Sequence, residues 1–122
     1  DRLIQSSADQ SNLFVVQTNS ATFANTSESA QQLAITRIRS IEHARYSVSV
    51  STVGISAIVD TNGIVLKSTK ENIAASINGA VALNATRTIY DRVSEFAWVL
   101  VLLIGLGFGA GLGYAARLGK RR

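Results

Sequence analysis

The 122-residue sequence contains no cysteine, no proline and no methionine, and it has a single histidine and a single tryptophan. Without cysteine the chain cannot form a disulfide, hold a metal through thiolates or supply a cysteine nucleophile. Polar residues rather than an apolar run follow Leu3-Ile4, so the N-terminus is not typical of a signal peptide. Because the first residue is not Met and the long apolar segment is C-terminal, we expect a piece of a longer protein. We expect neither a cofactor nor a metal site.

Positive charge is in excess, but only at one end of the chain. The sequence has 12 Lys and Arg against 8 Asp and Glu, a net charge of +4 and a pI of about 10.0, a balance typical of nucleic-acid binding. The basic residues of the tail, residues 117–122, account for the whole excess, since residues 1–95 are balanced. The sequence therefore predicts no nucleic-acid partner.

Residues 96–116 contain no charged side chain. At about 1.5 Å per residue, a helix of this length spans about 30 Å, the thickness of a bilayer's hydrocarbon core. Trp98 and Tyr114 lie where interfacial aromatic residues are expected, and the basic tail follows directly. The pattern predicts a transmembrane helix over 96–116, a cytoplasmic tail over 117–122 and an extracytoplasmic region before residue 96.

Glycines recur inside this apolar segment. Gly105 to Ala110 fits the G-x-G-x-x-G/A pattern of dinucleotide-binding turns, but such a site needs an acidic residue about 20 positions downstream. The last acidic residue of the chain, Glu95, lies upstream instead. Gly105, Gly109 and Gly113 also repeat at intervals of four, which is typical of contacts between membrane helices. We therefore predict that these glycines face other transmembrane helices.

Residues 1–95 show a mixed pattern of helices and strands. Ala30, Ala34, Ile38 and Ile41 recur at helical spacing and predict the apolar face of a helix, and Asn62-Gly63 predicts a hairpin turn. One helix cannot cover both faces of the predicted sheet, so the fold class is α+β or half of an α-β-β-α layered sandwich. The predicted elements are a helix within 1–10, a strand over 13–19, a helix over 27–45, strands over 46–52, 55–60, 63–68 and 75–83, and an amphipathic segment over 86–96.

Three segments resemble a known family. They are residues 13–23 (LFVVQTNSATF), 29–45 (SAQQLAITRIRSIEHAR) and 48–66 (VSVSTVGISAIVDTNGIVL). These segments look like the C-terminal half of a nitrilase-superfamily domain, and specifically like that of the apolipoprotein N-acyltransferases. The resemblance rests on an Arg-x-Arg-x-x-Glu pattern ending at Glu42, a Thr-x-Gly turn ending at Gly54 and an Asp-x-x-Gly turn ending at Gly63.

The resemblance implies a partial nitrilase-like sandwich followed by the last transmembrane helix of a bacterial plasma-membrane enzyme. Members of the family transfer an acyl chain from a phospholipid to the N-terminal cysteine amine of lipoproteins. Their catalytic Glu, Lys and Cys precede the strand matched by residues 13–19. We therefore expect no catalytic residue here and no activity from this chain alone. The alternative is a non-enzymatic, C-terminally anchored module that associates with other membrane helices.

The resemblance and the positions of the predicted strand ends also suggest substrate-binding residues. Ligands of layered α/β folds gather outside the carboxyl ends of strands, where the sequence places Asn19 and Thr52. The expected binding residues are Asn19, Thr22, Phe23, Thr52 and Gly54. The alternatives are a turn-forming role for Asn19, loop and core roles for Thr22 and Phe23, and a need for backbone freedom at Gly54.

Two further sets of side chains have both a structural and a functional interpretation. His43 lies in the last turn of the main helix, where its imidazole can interact with the helix dipole or act as a base or ligand. Arg39 and Glu42 are three positions apart, so they can form a helical ion pair or bind a lipid headgroup through the arginine. Arg37 and Arg39 are expected on different faces of the helix.

Overall fold

A computed structural model describes residues 2–23, 26–93 and 96–119, with the backbone alone for Arg2, Phe23 and residues 113–119. The chain forms two compact units, residues 1–91 and 92–122. The elements are α1 (Arg2–Gln10), β1 (Leu13–Thr18), a 3₁₀ turn (Ala21–Phe23), α2 (Glu28–His43), β2 (Tyr46–Ser51), β3 (Ala57–Val59), β4 (Val65–Ser68), α3 (Ile89–Val93) and α4 (Ala97–Gly119).

The four strands form one mixed sheet in the order β1-β2-β3-β4. β1 and β2 are parallel, in register from Leu13 opposite Tyr46 to Thr18 opposite Ser51, and α2 is the crossover between them. β3 and β4 continue the sheet as antiparallel strands. The α+β class predicted from the sequence is confirmed. The parallel pairing brings the carboxyl ends of β1 and β2 to the same edge of the sheet.

The turn between β3 and β4 follows the Asn-Gly prediction. The Asp60 carboxylate accepts hydrogen bonds from the backbone N–H groups of Asn62 at 2.9 Å and Ile64 at 2.8 Å. Gly63 has a φ of 73°, a conformation that L side chains rarely adopt. The aspartate and the glycine together fix the reversal of the chain.

The helix α2 packs on the sheet with its polar face. Its buried residues are small or polar: Ser29, Thr36, Ser40 and His43. The Ser40 hydroxyl lies 2.7 Å from that of Ser47 on β2, so two small side chains that hydrogen-bond to each other separate helix and strand.

Most of the apolar side of α2 is therefore exposed, although Ile41 lies against Gly63 in the β3–β4 turn. Ile38 and Ile41 are 53% and 54% exposed, and Ala30 and Ala34 are exposed as well. The prediction that these four residues form the core-facing side of the helix is wrong. The alternating serines of β2 pack against the polar side of α2. Polar contacts rather than hydrophobic ones therefore determine which side of the helix faces the sheet.

Residues 69–88 follow β4 without regular secondary structure. The predicted strand over 75–83 is therefore wrong. The described backbone contacts of the segment are isolated ones, such as the Asn72 N–H donating to Val53 O at 2.8 Å, rather than a ladder. A Cβ on Gly79 would lie 3.0 Å from the Ile58 side chain, so the segment crosses the sheet face that α2 leaves free. Packing, not strand pairing, holds these residues.

The second unit contains α4, which covers the apolar segment as a helix. Within the part of the chain that is described, no helix combines the length and apolar character needed to cross a membrane. The assignment of residues 96–116 as a transmembrane helix stays a prediction. A Cβ on Gly105 or Gly109 would meet no described atom within 4 Å outside its own helix. The side-chain position of Gly113 lies outside the described residues.

Candidate functional site

The carboxyl edge of the β1–β2 pair carries a connected set of polar groups. Asn19 directly follows β1 and Thr52 directly follows β2. The Asn19 side-chain oxygen accepts a hydrogen bond from the Thr52 hydroxyl at 2.8 Å and another from the Ala21 N–H at 3.2 Å. Asn19 therefore forms the turn and also bridges the two strand ends. The structure brings together two residues that the sequence placed 33 positions apart.

Gly54 lies against three serine hydroxyls, which we call the hydroxyl cluster: Ser20, Ser29 and Ser51. Its N–H donates to Ser51 Oγ at 3.0 Å. A Cβ on Gly54 would lie 2.8 Å from the hydroxyl oxygens of Ser29 and Ser51 and 3.2 Å from that of Ser20. Gly54 is not among the described residues with positive φ. Lack of space, rather than the backbone freedom considered from the sequence, explains glycine here.

The other two predicted binding residues belong to the loop after β1. Thr22 is exposed in the 3₁₀ turn that begins two residues after Asn19. The side chain of Phe23 lies outside the described residues. The structure thus gathers Asn19, Thr52 and Gly54 at one edge, with Thr22 in the adjoining turn.

The groups at this edge are uncharged amides and hydroxyls. They can donate to and accept hydrogen bonds from a polar ligand, but none has the basicity of a carboxylate or imidazole for removing a proton at neutral pH. In the described part of the chain, no group of three or more His, Asp or Glu side chains is placed to hold a metal ion. The chemistry of the edge suits binding rather than proton transfer.

A second polar cluster lies at the opposite, amino edge of the same strands. His43 Nδ1 donates to Asp91 Oδ1 at 2.5 Å, and both side chains are 1% exposed. The imidazole lies edge-on to the rings of Phe14 and Tyr90, with centroids 5.5 Å apart in each pair. Such burial keeps His43 from reaching a substrate. The contacts of His43 therefore support a structural role rather than a role as a base or ligand.

Thr88 and Asp91 complete the same cluster as a capping box at the start of α3. The Thr88 N–H donates to Asp91 Oδ2 at 2.9 Å, and the Asp91 N–H donates to Thr88 Oγ1 at 3.1 Å. Burial would raise the pKa of Asp91, but the hydrogen bonds from Thr88 and His43 and the charge of His43 together hold that pKa below its ordinary value. Asp91 is therefore built to remain a carboxylate.

Arg45 is a buried cation whose guanidinium is satisfied by backbone carbonyls. It is 2% exposed and donates to four oxygens from three separate stretches of chain. These are Ser11 O at 2.9 Å, His43 O at 2.9 Å, Thr86 O at 2.8 Å and Ala8 O at 3.1 Å. Arg45 thus joins the end of α1, the end of α2 and the segment before α3.

The sequence reasoning missed this amino-edge cluster. Its members are far apart in sequence: His43 and Asp91 are 48 positions apart. One local signal was available, because Thr88-Ile-Tyr-Asp91 fits the capping-box pattern. The Arg39–Glu42 ion pair, at 2.7 Å, was among the alternatives and is present. Arg37 instead donates to Gly63 O at 2.7 Å, on a different face of α2.

The first unit is thus a mixed α+β fold with a polar carboxyl edge, and comparisons with known proteins relate the chain to a family. The chain is 35% identical over 101 residues to the apolipoprotein N-acyltransferase of Mycolicibacterium smegmatis, covering 77% of this chain and 17% of the relative. It is 32% identical over 113 residues to that of Geobacter metallireducens, covering 92% of this chain and 20% of the relative. The Coxiella burnetii enzyme is 30% identical over 92 residues, covering 75% and 19%.

These matches confirm the resemblance seen in the sequence: the chain is homologous to a part of the apolipoprotein N-acyltransferases. No protein-family profile matches it. The chain spans about a fifth of the length of the curated relatives it matches.

Proposed function

We propose that this chain is the C-terminal portion of a bacterial apolipoprotein N-acyltransferase, comprising part of its nitrilase-like domain and its last membrane helix. The observation that carries the proposal is the identity of about one residue in three to such an enzyme over 92% of this chain. In the intact enzyme the substrates are a phospholipid acyl donor and the N-terminal cysteine amine of a lipoprotein acceptor.

In this proposal the chain contributes binding rather than the chemical step. Acyl transfer through a thioester needs a thiolate to attack the donor and a base to move protons, and this chain contains no cysteine. Residues 1–122 alone are therefore inactive. Asn19, Thr22, Phe23, Thr52 and Gly54 line the mouth of the substrate site. The uncharged hydrogen-bonding groups at the carboxyl edge support this assignment.

We further propose that residues 96–116 span the plasma membrane, with residues 1–95 extracytoplasmic and 117–122 cytoplasmic. The absence of charge across 96–116 and the basic residues that follow support this topology. Gly105, Gly109 and Gly113 would then allow close approach of other transmembrane helices of the same enzyme.

A chimera tests the enzymatic proposal directly. The matching fifth of the Mycolicibacterium smegmatis enzyme is replaced by this chain, and the chimera is produced in cells depleted of their own enzyme. We expect the chimera to restore the third acyl chain on lipoproteins, measured by mass spectrometry of lipopeptides. The chain produced alone should not. A chimera that reaches the membrane in normal amounts but transfers no acyl chain would contradict the proposal.

The second candidate is a non-enzymatic module anchored by its C-terminal helix. The observation that favours it is the exposed apolar face of α2, where Ile35, Ile38 and Ile41 are each more than half exposed. Such a face is typical of a protein contact. An inactive chimera together with recovery of the unfused chain in a defined complex with other membrane proteins would support this candidate.

A further inference from the structure

The stretch that ends the first unit, residues 84–91, is held by side chains rather than by a backbone ladder. We call it the exit segment. It has no strand pairing, and only its last residues belong to the short helix α3. Four hydrogen bonds join it to the end of α2 and the residues that follow: Asn84 Nδ2 to Ala44 O at 2.8 Å, Arg45 Nη1 to Thr86 O at 2.8 Å, Thr88 Oγ1 to Glu42 O at 2.5 Å and His43 Nδ1 to Asp91 Oδ1 at 2.5 Å.

Two of these four bonds come from buried side chains, His43 and Arg45. The His43–Asp91 pair is 1% exposed on both sides, and charge-assisted hydrogen bonds are about twice as strong as neutral ones. By contrast, Arg87 in the same segment pairs with Asp9 at the surface, with side chains 53% and 34% exposed. Exposed ion pairs contribute little to stability. The buried His43–Asp91 pair therefore holds the α3 end of the exit segment, and the buried Arg45 holds Thr86 nearer its start.

We propose that His43 and Asp91 form a latch that holds the exit segment on the end of α2 and that this segment can detach as a unit while the sheet and α2 remain folded. The sheet and α2 keep their own contacts, including the Ser40–Ser47 hydrogen bond, and none of these depends on Asp91. A segment attached by a few side chains is the kind of region that opens locally below the global unfolding energy.

Opening of the latch releases the end of the first unit. Asp91 lies six positions before Ala97, where α4 begins, and Asn84 lies thirteen positions before it. Opening from Asp91 back to Asn84 frees eight residues, which can extend by about 26 Å.

Amide hydrogen exchange on the full 122-residue chain in detergent micelles tests the latch. The informative amides are Asn84, which donates to Asn12 O outside the segment at 3.2 Å, together with Thr88 and Asp91, which donate to each other's side chains within it. In His43→Leu, which keeps bulk but removes the donor, we expect these amides to exchange about 10- to 100-fold faster, the effect of losing one charged hydrogen bond. The amides of β2 and β3 should keep their protection.

Two matched variants separate the latch from simple packing damage. His43→Asn places an amide N–H near the position of Nδ1 and should restore most of the protection lost in His43→Leu. Asp9→Asn removes the exposed ion pair to Arg87 in the same segment and should change exchange by less than about fivefold. The rate of trypsin cleavage after Arg87 should rise most in His43→Leu and much less in His43→Asn and Asp9→Asn.

Three results would overturn the proposal. Equal loss of protection in His43→Leu and His43→Asn would show that ring packing, not the bond to Asp91, holds the segment. Equal acceleration throughout the sheet would show that the segment does not detach separately. Unchanged exchange at Thr88 and Asp91 would show that His43 does not hold it. None of these readouts depends on acyl transfer, so the latch and the proposed function fail independently.

Discussion

The two edges of the β1–β2 pair are both polar, but their polarity has different consequences. The carboxyl edge is built of uncharged hydroxyls and amides, and its residues Asn19 and Thr52 are exposed. The amino edge is built of the Arg45 guanidinium, the Asp91 carboxylate and the His43 imidazole, all buried. Charges taken out of water must be fully paired, so the groups at the amino edge bind one another. Exposed neutral groups can exchange water for a ligand, which suits the carboxyl edge to binding.

The largest expected effect comes from removing the buried guanidinium at the amino edge. Arg45→Met leaves four backbone carbonyls without their donor. We expect the free energy of unfolding to fall by about 3–5 kcal/mol, as when one partner of a buried charged network is lost. Urea unfolding monitored by circular dichroism measures it. Arg87→Gln at the surface is the matched control and should cost less than about 1 kcal/mol.

The second-largest expected effect is a loss of stability at acidic pH, caused by protonation of Asp91. Since the pKa of folded Asp91 is below its ordinary value, its carboxylate stabilises the fold above the unfolded value of about 3.9, and this contribution is lost as the pH falls through the folded value. Wild type should therefore exceed Asp91→Asn in stability at pH 6, with the difference shrinking below about pH 4. Urea midpoints across this range provide the measurement, and a constant difference down to pH 2.5 would contradict the expectation.

Substitution of Gly54, which lies against the hydroxyl cluster, is expected to reduce stability less. Gly54→Ala places a Cβ 2.8 Å from two serine oxygens, so side chains must shift, at a cost of about 1–3 kcal/mol. Gly79→Ala is the control, because its Cβ would meet only the end of the Ile58 side chain at 3.0 Å. If the two variants have the same thermal midpoint, close packing at the carboxyl edge is not the reason for Gly54.

Thr52→Val is expected to have the smallest effect on stability. It is also the sharpest test of whether the carboxyl and amino edges have different roles. This change removes the exposed hydrogen bond to Asn19 and should cost less than about 1 kcal/mol. If the carboxyl edge binds substrate, the same change in the chimera should raise KM while kcat is kept. His43→Asn at the amino edge should leave KM unchanged. An effect of both variants on KM would show that the two edges do not have separate roles.

Local chemistry explains the parts of the fold that could be predicted from the sequence. The Asn62-Gly63 turn followed from the residues themselves, since a glycine with φ of 73° and an aspartate cap act within five positions. The strand β1 was predicted over 13–19 and ends at Thr18. Asn19 and Thr52 could each be placed at the end of a predicted strand, and the parallel pairing of β1 and β2 in the structure brings them together. In each case the determining contacts are close in sequence or fixed by topology.

The parts that could not be predicted depend on which surfaces meet. The spacing of apolar residues indicated an apolar side of α2. It could not indicate that the serines of β2 pack against the opposite, polar side. The run over 75–83 has the composition of a strand, yet Gly79 packs on Ile58 instead of pairing along an edge. The pairing of His43 with Asp91 crosses 48 positions, with only the Thr88–Asp91 capping pattern as a local hint.

The sequence by itself determined the α+β class, the hairpin turn, the absence of a thiol and the resemblance to the acyltransferases, because each depends on residue identity or local spacing. Tertiary structure alone decided which face of α2 is buried, why position 54 is glycine and which charges are paired inside. The physical reason is that burial and charge pairing are energies of contact between distant residues, and a linear pattern fixes neither the partner nor the distance.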